Sequence, residues 1–218
     1  MKEILTFELG KWQELPVYSN GTIGAYLGDA GQRVLLPARQ VPKGTKPGAV
    51  LAVFLYKDSQ DRMIATVHEP KLTLGEAAVL QVRQITPIGA FLDWGLEKDL
   101  FLPFRQQTGK LEEGMFYPVA LYIDKSGRLA ATMWVEAYLR GDADEKKKQL
   151  SLLKLQADAE NVYIRISRMG GTLPYNDRAQ PEQIEKDFGL SKNAFKRAVG
   201  VLYKARRLVI AENSITLV

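Results

Sequence analysis

The sequence predicts two small all-β barrels in tandem, followed by a helical domain that closes with a β-hairpin. Three observations predict this. The first is an internal repeat: Ile23-Gly-Ala-Tyr-Leu27 returns as Ile88-Gly-Ala-Phe-Leu92, and Val34-Leu-Leu-Pro37 returns as Leu100-Phe-Leu-Pro103. Gly48 and Tyr56 correspond to Gly114 and Tyr122, and Arg62-Met-Ile-Ala-Thr66 corresponds to Arg128-Leu-Ala-Ala-Thr132. The first pair is offset by 65 residues and the other three by 66. That period exceeds the ~20–50 residues of solenoid repeats, so each copy is expected to be an autonomous small domain. The second observation is that apolar runs within each copy are short and rich in β-branched or aromatic residues. The third is a change near residue 140, where the strand pattern gives way to a helical period.

Within the copies, Ala49-Val-Leu-Ala-Val-Phe-Leu-Tyr56, Val79-Leu-Gln-Val82 and Phe116-Tyr-Pro-Val-Ala-Leu-Tyr-Ile123 read as strands. Turn signals bound them at Asn20-Gly21, Asp29-Ala-Gly31, Lys57-Asp-Ser-Gln-Asp61 and Asp124-Lys-Ser-Gly127. Pro118 lies inside one run, which predicts an edge position or a bulge, since proline cannot donate to a ladder. The glycine in each Ile-Gly-Ala-aromatic-Leu motif, Gly24 and Gly89, predicts a sharp bend or a close backbone approach. Roughly sixty-five residues of short strands suit a five-stranded barrel of the oligonucleotide/oligosaccharide-binding kind.

Beyond Trp134-Val-Glu-Ala-Tyr-Leu-Arg140 the chain changes character. Residues 141–157 read as a charged linker whose Lys146-Lys-Lys148 triplet is a solvated face; Leu150-Ser-Leu-Leu-Lys-Leu155 is ambiguous. Asp158 or Asn161 is expected to open a helix that Gly170-Gly171 stops near Met169. Pro181 and Glu182 suit a helix start, Ile184 and Phe188 are spaced i, i+4, and Gly189 suits the left-handed position after the helix. Ser191 is the expected N-cap of the next helix, from Lys192 to about Arg207, with Phe195, Ala198, Val199 and Leu202 on one face. Six basic residues and no acid lie between 191 and 207. Gly200 inside that helix lowers its stability, and only close approach of another backbone would justify it. Leu208–Val218 reads as a hairpin turning at Glu212-Asn-Ser214. Helix, helix, short turn, basic helix and hairpin predict a winged helix-turn-helix. The expected divisions are a barrel at residues 1–69, a barrel at 70–140, the linker at 141–157 and the winged helix at 158–218.

Composition narrows the function classes. The net charge is +5 and the sequence pI near 9.3, which permits polyanion binding without demanding it. Without cysteine there is no disulfide framework, thiolate metal site or cysteine nucleophile, which fits a reducing compartment. The start, Met1-Lys-Glu-Ile-Leu-Thr-Phe-Glu8, lacks a signal-peptide pattern, and no apolar run approaches the ~18 residues of a membrane span. A soluble, cytoplasmic protein is expected. The single histidine, His68, reads as an exposed linker residue rather than a catalytic one, because no metal-ligand or nucleophile pattern accompanies it. Gly10-Lys11 and Gly109-Lys110 lack the remaining residues of a phosphate loop. No enzyme activity, cofactor or metal is expected.

Ile88-Gly-Ala-Phe-Leu-Asp-Trp-Gly-Leu-Glu-Lys-Asp-Leu-Phe-Leu102, with Glu113-Gly114 and Tyr122-Ile-Asp-Lys-Ser-Gly-Arg-Leu129, resembles the S-one RNA-binding domain; the first copy matches it more loosely. The resemblance implies RNA contacts at Ile88, Phe91, Leu102 and Arg128, and at Ile23, Tyr26, Leu36 and Arg62. Of these, Phe91, Tyr26, Arg128 and Arg62 keep the family's chemistry, so each barrel would offer one stacking ring. Alternation alone leaves Tyr26 and Phe91 open between core filling and outward stacking; the resemblance favours the outward side. Phe101 is expected to pack inside, and Phe104-Arg105 to stand exposed beside the groove. Gly170-Gly-Thr-Leu-Pro-Tyr-Asn-Asp177, Phe188-Gly-Leu-Ser-Lys-Asn-Ala-Phe-Lys-Arg-Ala198 and Leu202-Tyr-Lys204, placed after two barrels, are similar to the conserved virulence factor B family of bacteria. That family is regarded as RNA-binding, with a role in regulating gene expression. Its members carry a further barrel before the winged helix, for which this chain has no segment of sufficient length. The resemblance implies a non-enzymatic RNA-binding regulator, with single-stranded RNA on Tyr26, Arg62, Phe91, Arg105 and Arg128. A second nucleic-acid surface is expected at Lys192, Lys196, Arg197, Tyr203, Lys204 and Arg207. The alternatives are a DNA-binding transcription regulator acting through the winged helix, and a protein-interaction scaffold with degenerate barrels.

Overall fold

The computed structural model of the protein describes residues 5–218. The expectation about the chain's first residues therefore falls partly outside the described ones. The first barrel holds β1 (Trp12–Gly21), β2 (Gly24–Gly28), β3 (Arg33–Pro37), β4 (Val50–Lys57) and β5 (Met63–Thr66). Its strand order is β1-β2-β3-β5-β4, closed by a parallel pairing of Leu35 in β3 with Ile64 in β5. The second copy repeats this with β6 (Ala77–Thr86), β7 (Gly89–Asp93), β8 (Leu100–Pro103), β9 (Phe116–Ile123) and β10 (Leu129–Thr132). Its sheet runs β10-β9-β6-β7-β8, and no ladder joins β8 to β10, so the second barrel keeps an open seam.

The period-2 alternation of the strands builds each core. In β2 and β3, Ala25, Leu27, Val34 and Leu36 face inward and are buried; Ala90, Leu92, Leu100 and Leu102 do the same in the second copy. Gly24 and Gly89 allow the hairpins to close. A β-carbon on Gly24 would lie 2.0 Å from the Leu36 carbonyl oxygen, and one on Gly89 would lie 2.4 Å from that of Leu102. The hairpin tips are Thr22-Ile23 and Pro87-Ile88, two residues beyond the Asn20-Gly21 signal, because Asn20 and Gly21 pair with Ala25 and Gly24 as the end of β1. Each barrel also carries the same clamp after β3 or β8. Gln40 accepts from the Thr66 hydroxyl at 2.7 Å, and Gln106 accepts from the Thr132 hydroxyl at 2.7 Å. Pro118 pairs with Val79 on one side of β9 and lies before the stretch from Ala120 onward that pairs with β10. It thus occupies the free edge that its missing N–H demands.

The two barrels pack through aromatic residues. Phe54 and Tyr56 of β4 join the apolar cluster of the second barrel around Trp94, with T-shaped ring pairs at 5.9 and 6.2 Å. Such pairs contribute about 0.5–1.5 kcal/mol each beyond the area they bury. The Trp94 indole N–H donates to the Lys98 carbonyl at 2.6 Å, so burying the ring leaves no polar atom unpaired.

The segment read as a charged linker is helical. Helix α1 (Ala143–Arg168) begins about four to five turns earlier than the expected start at Asp158 or Asn161. Asp142 caps it, accepting from the Glu145 N–H while the Glu145 side chain accepts from the Asp142 N–H. This capping box and a run of good helix formers stabilise a mostly exposed first half, whose large apolar residues begin only at Leu150. The helix stops at Gly170-Gly171, as expected, with the Gly171 N–H donating to the Ile166 carbonyl. Toward the barrel, Asn161 acts as a strand partner for β9. Its Oδ1 accepts from the Phe116 N–H at 2.6 Å, and its Nδ2 donates to the Phe116 carbonyl at 2.9 Å. On its other side Ala159, Val162 and Ile166 enter the core of the C-terminal domain.

That domain adds α2 (Pro181–Phe188), α3 (Lys192–Lys204) and a sheet of order β11-β13-β12, where β11 is Thr172–Leu173, β12 Leu208–Ile210 and β13 Ile215–Leu217. Gly189 is left-handed at φ +67°, and the Ser191 hydroxyl accepts from the Ala194 N–H at 3.3 Å. The apolar face of α3, Phe195, Ala198, Val199 and Leu202, is fully buried. This is a winged helix. No close backbone approach accounts for Gly200, since a β-carbon at that position meets nothing within 4 Å.

Candidate nucleic-acid interface

In the second barrel the outward positions of β7 and β8 bring two rings together. Phe91 and Phe101 are cross-strand partners, both half-buried, with centroids 5.3 Å apart and planes at 42°. The inward expectation for Phe101 is thus corrected: Leu100 and Leu102 take the core side of β8, so alternation turns Phe101 out. Leu102 itself, mapped as an RNA contact, is fully buried, and so is its counterpart Leu36. Both belong to the core; the outward residues of these strands are Phe101 with Pro103 and Leu35 with Pro37. Ile88 stands at the hairpin tip, 68% exposed, and the next turn begins with exposed Phe104, whose N–H donates to the Ile88 carbonyl.

The ring pair borders a groove of about 280 Å³ that follows the open seam of the second barrel. Leu100 and Phe101 form one side of the seam and Leu129 and Ala130 the other. The first barrel supplies the far wall through Tyr56, Lys57 and Asp61, and Lys98, Asp99, Asp124 and Arg128 supply charge. Burial, then the charges of Glu97 and Asp58 outweighing that of Arg39, raises the Tyr56 phenol pKa, so Tyr56 contributes a neutral wall. Burial, with the neighbouring Asp93 charge, also lifts Asp99 above its ordinary range although Arg83 opposes it.

Both repeat arginines carry a carboxylate partner. Arg128 donates through Nε to Asp61 Oδ2 of the first barrel at 2.8 Å, and its Nη2 forms an ion pair with the same oxygen at 2.7 Å. Arg62 donates through the same two atoms to Asp58 of its own turn at 2.9 and 2.7 Å. Burial alone would raise the Asp58 pKa, but these bonds and two backbone N–H donors hold it below the usual carboxylate range. Both pairs are solvent-exposed, so each contributes on the order of 1 kcal/mol or less and a phosphate can compete for the guanidinium. Arg105 is exposed and makes no ion pair among the described residues.

The first barrel presents a sparser face. Tyr26 is half-buried opposite Leu35, so one ring stands where the second copy has two. Ile23 sits at the tip, 58% exposed. Sequence reasoning missed a further feature here: the Arg33 guanidinium lies 4.6 Å over the Tyr18 ring. The equivalent positions in the second copy hold Arg83 and Asp99, an ion pair at 3.4 Å. The signal was the repeat itself, because both first members sit at a bulge in the first strand of their barrel.

On the winged helix, the structure separates the expected basic residues. Arg197, Tyr203 and Lys204 are exposed on α3. Lys196 is exposed with a loose contact to Asp177 at 3.8 Å. Lys192 donates to the Arg178 carbonyl at 3.1 Å. Arg207 departs from the expected stripe: α3 ends at Lys204, and the Arg207 guanidinium is bound by Glu160 of α1 at 2.5 and 3.1 Å and lies 4.1 Å over the Tyr163 ring. It fastens α3 to α1. His68 is exposed as expected, and among the described residues no cluster of His, Asp or Glu could hold a metal ion. Among the described residues, no helix is long and apolar enough to cross a membrane.

The S1 domain family model matches residues 9–68 and again 74–134, and the CvfB-like winged helix domain model matches residues 160–217. These are nucleic-acid-binding kinds of domain, not enzyme families. A conserved virulence factor B of Staphylococcus saprophyticus is 32% identical, over 95% of this chain and 71% of its own length. The uncharacterized protein YitL of Bacillus subtilis is 24% identical, over 89% of each chain. The alignment to YitL spans 265 positions, more than this chain has, so that relative holds sequence this chain lacks. A crystal structure of a multidomain protein with nucleic acid binding domains from Streptococcus pneumoniae covers 98% of this chain and 79% of its own, at 17% identity and a TM-score of 0.27. Two S1 domains and the winged helix, together with similarity to the staphylococcal protein over nearly all of this chain, place it in the conserved virulence factor B family.

Proposed function

We propose that the protein is a non-enzymatic RNA-binding regulator of gene expression that acts in the bacterial cytoplasm on single-stranded RNA. The observation that carries this reading is the Phe91–Phe101 ring pair on the outward face of the second barrel, at the mouth of a groove containing Arg128. Base stacking on such rings is worth roughly 1–3 kcal/mol per base and tolerates any sequence, which suits a strand rather than a duplex. Tyr26 gives the first barrel a weaker platform, and Arg62, Arg105 and Arg128 are the proposed phosphate contacts. Two platforms on one chain raise the affinity of a strand long enough to reach both. The proposed working units are residues 1–69, 70–140 and 158–218.

A second reading is favoured by α3, whose exposed Lys196, Arg197 and Lys204 suit the phosphates of duplex DNA. Binding of the purified protein to matched single-stranded RNA, single-stranded DNA and duplex DNA at two salt concentrations separates the two. Preference for single-stranded RNA is expected. Preference for the duplex would move the function to the winged helix, and no binding would leave a protein-interaction scaffold.

A further inference from the structure

The turns that join the last two strands of each barrel are copies of one another, and they differ at one informative position. In the second barrel the turn places Gly127 at φ +72°, a left-handed conformation that glycine adopts freely. In the first barrel the equivalent residue is Asp61, also left-handed at φ +67°. A side chain there is unfavourable, Asp and Asn being among the few that tolerate it. The Asp61 carboxylate reaches the other barrel, where its Oδ2 accepts a hydrogen bond from Arg128 Nε and pairs ionically with Nη2. In the first barrel, by contrast, Arg62 is held within its own turn by Asp58. The counterpart of Asp58, Asp124, accepts from the Ser126 hydroxyl and the backbone N–H groups of Ser126 and Arg128, and leaves the Arg128 guanidinium to Asp61. Lys57 extends across the same junction: its Nζ lies 4.0 Å from where a side chain on Gly127 would begin, and no ion pair engages it among the described residues.

Arg128, Asp61 and Lys57 line the groove that Phe91 and Phe101 border. We propose that this groove is a phosphodiester-binding site built jointly by both barrels, in which a phosphate of the bound strand displaces Asp61 from Arg128 and Lys57 holds a neighbouring phosphate. The proposal rests on the reading that a single strand stacks on the second barrel. Asp61 then acts as a stand-in for phosphate: it keeps the guanidinium extended toward the groove in the free protein and opposes the strand until it is displaced. The exchange is feasible because the exposed carboxylate pair is weak and Asp61 engages the guanidinium through Oδ2 alone, whereas a phosphodiester offers two oxygens to it.

The full chain, a fluorescent single-stranded RNA of about twelve nucleotides and four variants test this. Asp61→Asn and Asp61→Gly both keep the left-handed turn, the second restoring the residue of the other copy. Each is expected to bind about two- to fivefold more tightly at low salt, with the gain shrinking as salt rises. Lys57→Gln is expected to weaken binding and to lower the slope of log affinity against log salt by about 0.7. Phe91→Ala reports on the stacking face alone. If Phe91→Ala weakens binding while both Asp61 variants bind no more tightly than wild type, or Lys57→Gln leaves the salt slope unchanged, the joint site is wrong and the single-barrel reading stands. Absence of binding by the wild-type chain would remove both.

Discussion

The rings of Phe91 and Phe101 hold little of the barrel together, because both stand on the outward side of strands whose inward residues fill the core. Phe101→Ala is therefore expected to leave urea unfolding nearly unchanged, whereas Leu102→Ala, one position away and fully buried, should cost about 2–5 kcal/mol. A core-sized loss for Phe101→Ala would return that ring to the interior. At Gly89 a methyl group would collide with the Leu102 carbonyl, at 2.4 Å, and would be forced into a positive φ, so Gly89→Ala should destabilise the second barrel strongly in the same assay. Acid reaches the winged helix through Asp187. The Tyr175 hydroxyl donates to its carboxylate, and this bond holds the Asp187 pKa below its ordinary value of 3.8. A carboxyl depressed in the folded state stabilises the fold above its unfolded pKa and loses that contribution as pH falls through the folded pKa. Thermal unfolding below about pH 4 should therefore show a loss that Tyr175→Phe makes shallower. An identical acid profile in the variant would mean the bond is not made in solution.

At the level of elements, what the sequence made legible was whatever the chain repeats or caps. The glycines of the two motifs, the helix stop at Gly170-Gly171 and the Ser191 cap each carry a local signal with one physical meaning, and the structure places each where that meaning requires. The first half of α1 carried a weaker signal. Its first two turns are exposed and charged, and Leu150, Leu152, Leu153 and Leu155 are too closely spaced to define one face. Periodicity therefore left it ambiguous, and Asp142 followed three residues later by Glu145 marked its start. Removing that cap with Asp142→Ala should cost about 0.5–2 kcal/mol of helix stability, read by circular dichroism. Phe101 was misplaced because a four-residue apolar run does not reveal its own phase; only pairing with Phe91 fixes it. Arg207 was misplaced because a helical wheel extended past the end of α3, where the chain turns and Glu160 takes the guanidinium. Gly200 has open space around it, so Gly200→Ala should stabilise α3 by about 0.5–1 kcal/mol. A substantial loss of stability in that variant would contradict the open surface.

Across the whole molecule, aromatic packing and one long helix connect parts that the sequence presented as separate modules. Trp94 joins the two barrels, Asn161 bonds α1 to β9, and Glu160 bonds α1 to the end of α3. The second barrel's open seam, the ring pair and the first barrel's Asp61 consequently meet in one groove, a conjunction that no single motif contains. The central claim is that a single nucleic-acid strand stacks there. Affinity for single-stranded RNA, measured for wild type and for Phe91→Ala combined with Phe101→Ala, tests it most directly. The double variant should keep the wild-type unfolding curve and lose about 1–3 kcal/mol of binding for each base that stacked, with its salt slope unchanged because no phosphate contact was removed. Wild-type affinity in a folded double variant would contradict the claim and leave the second barrel without a part in RNA recognition.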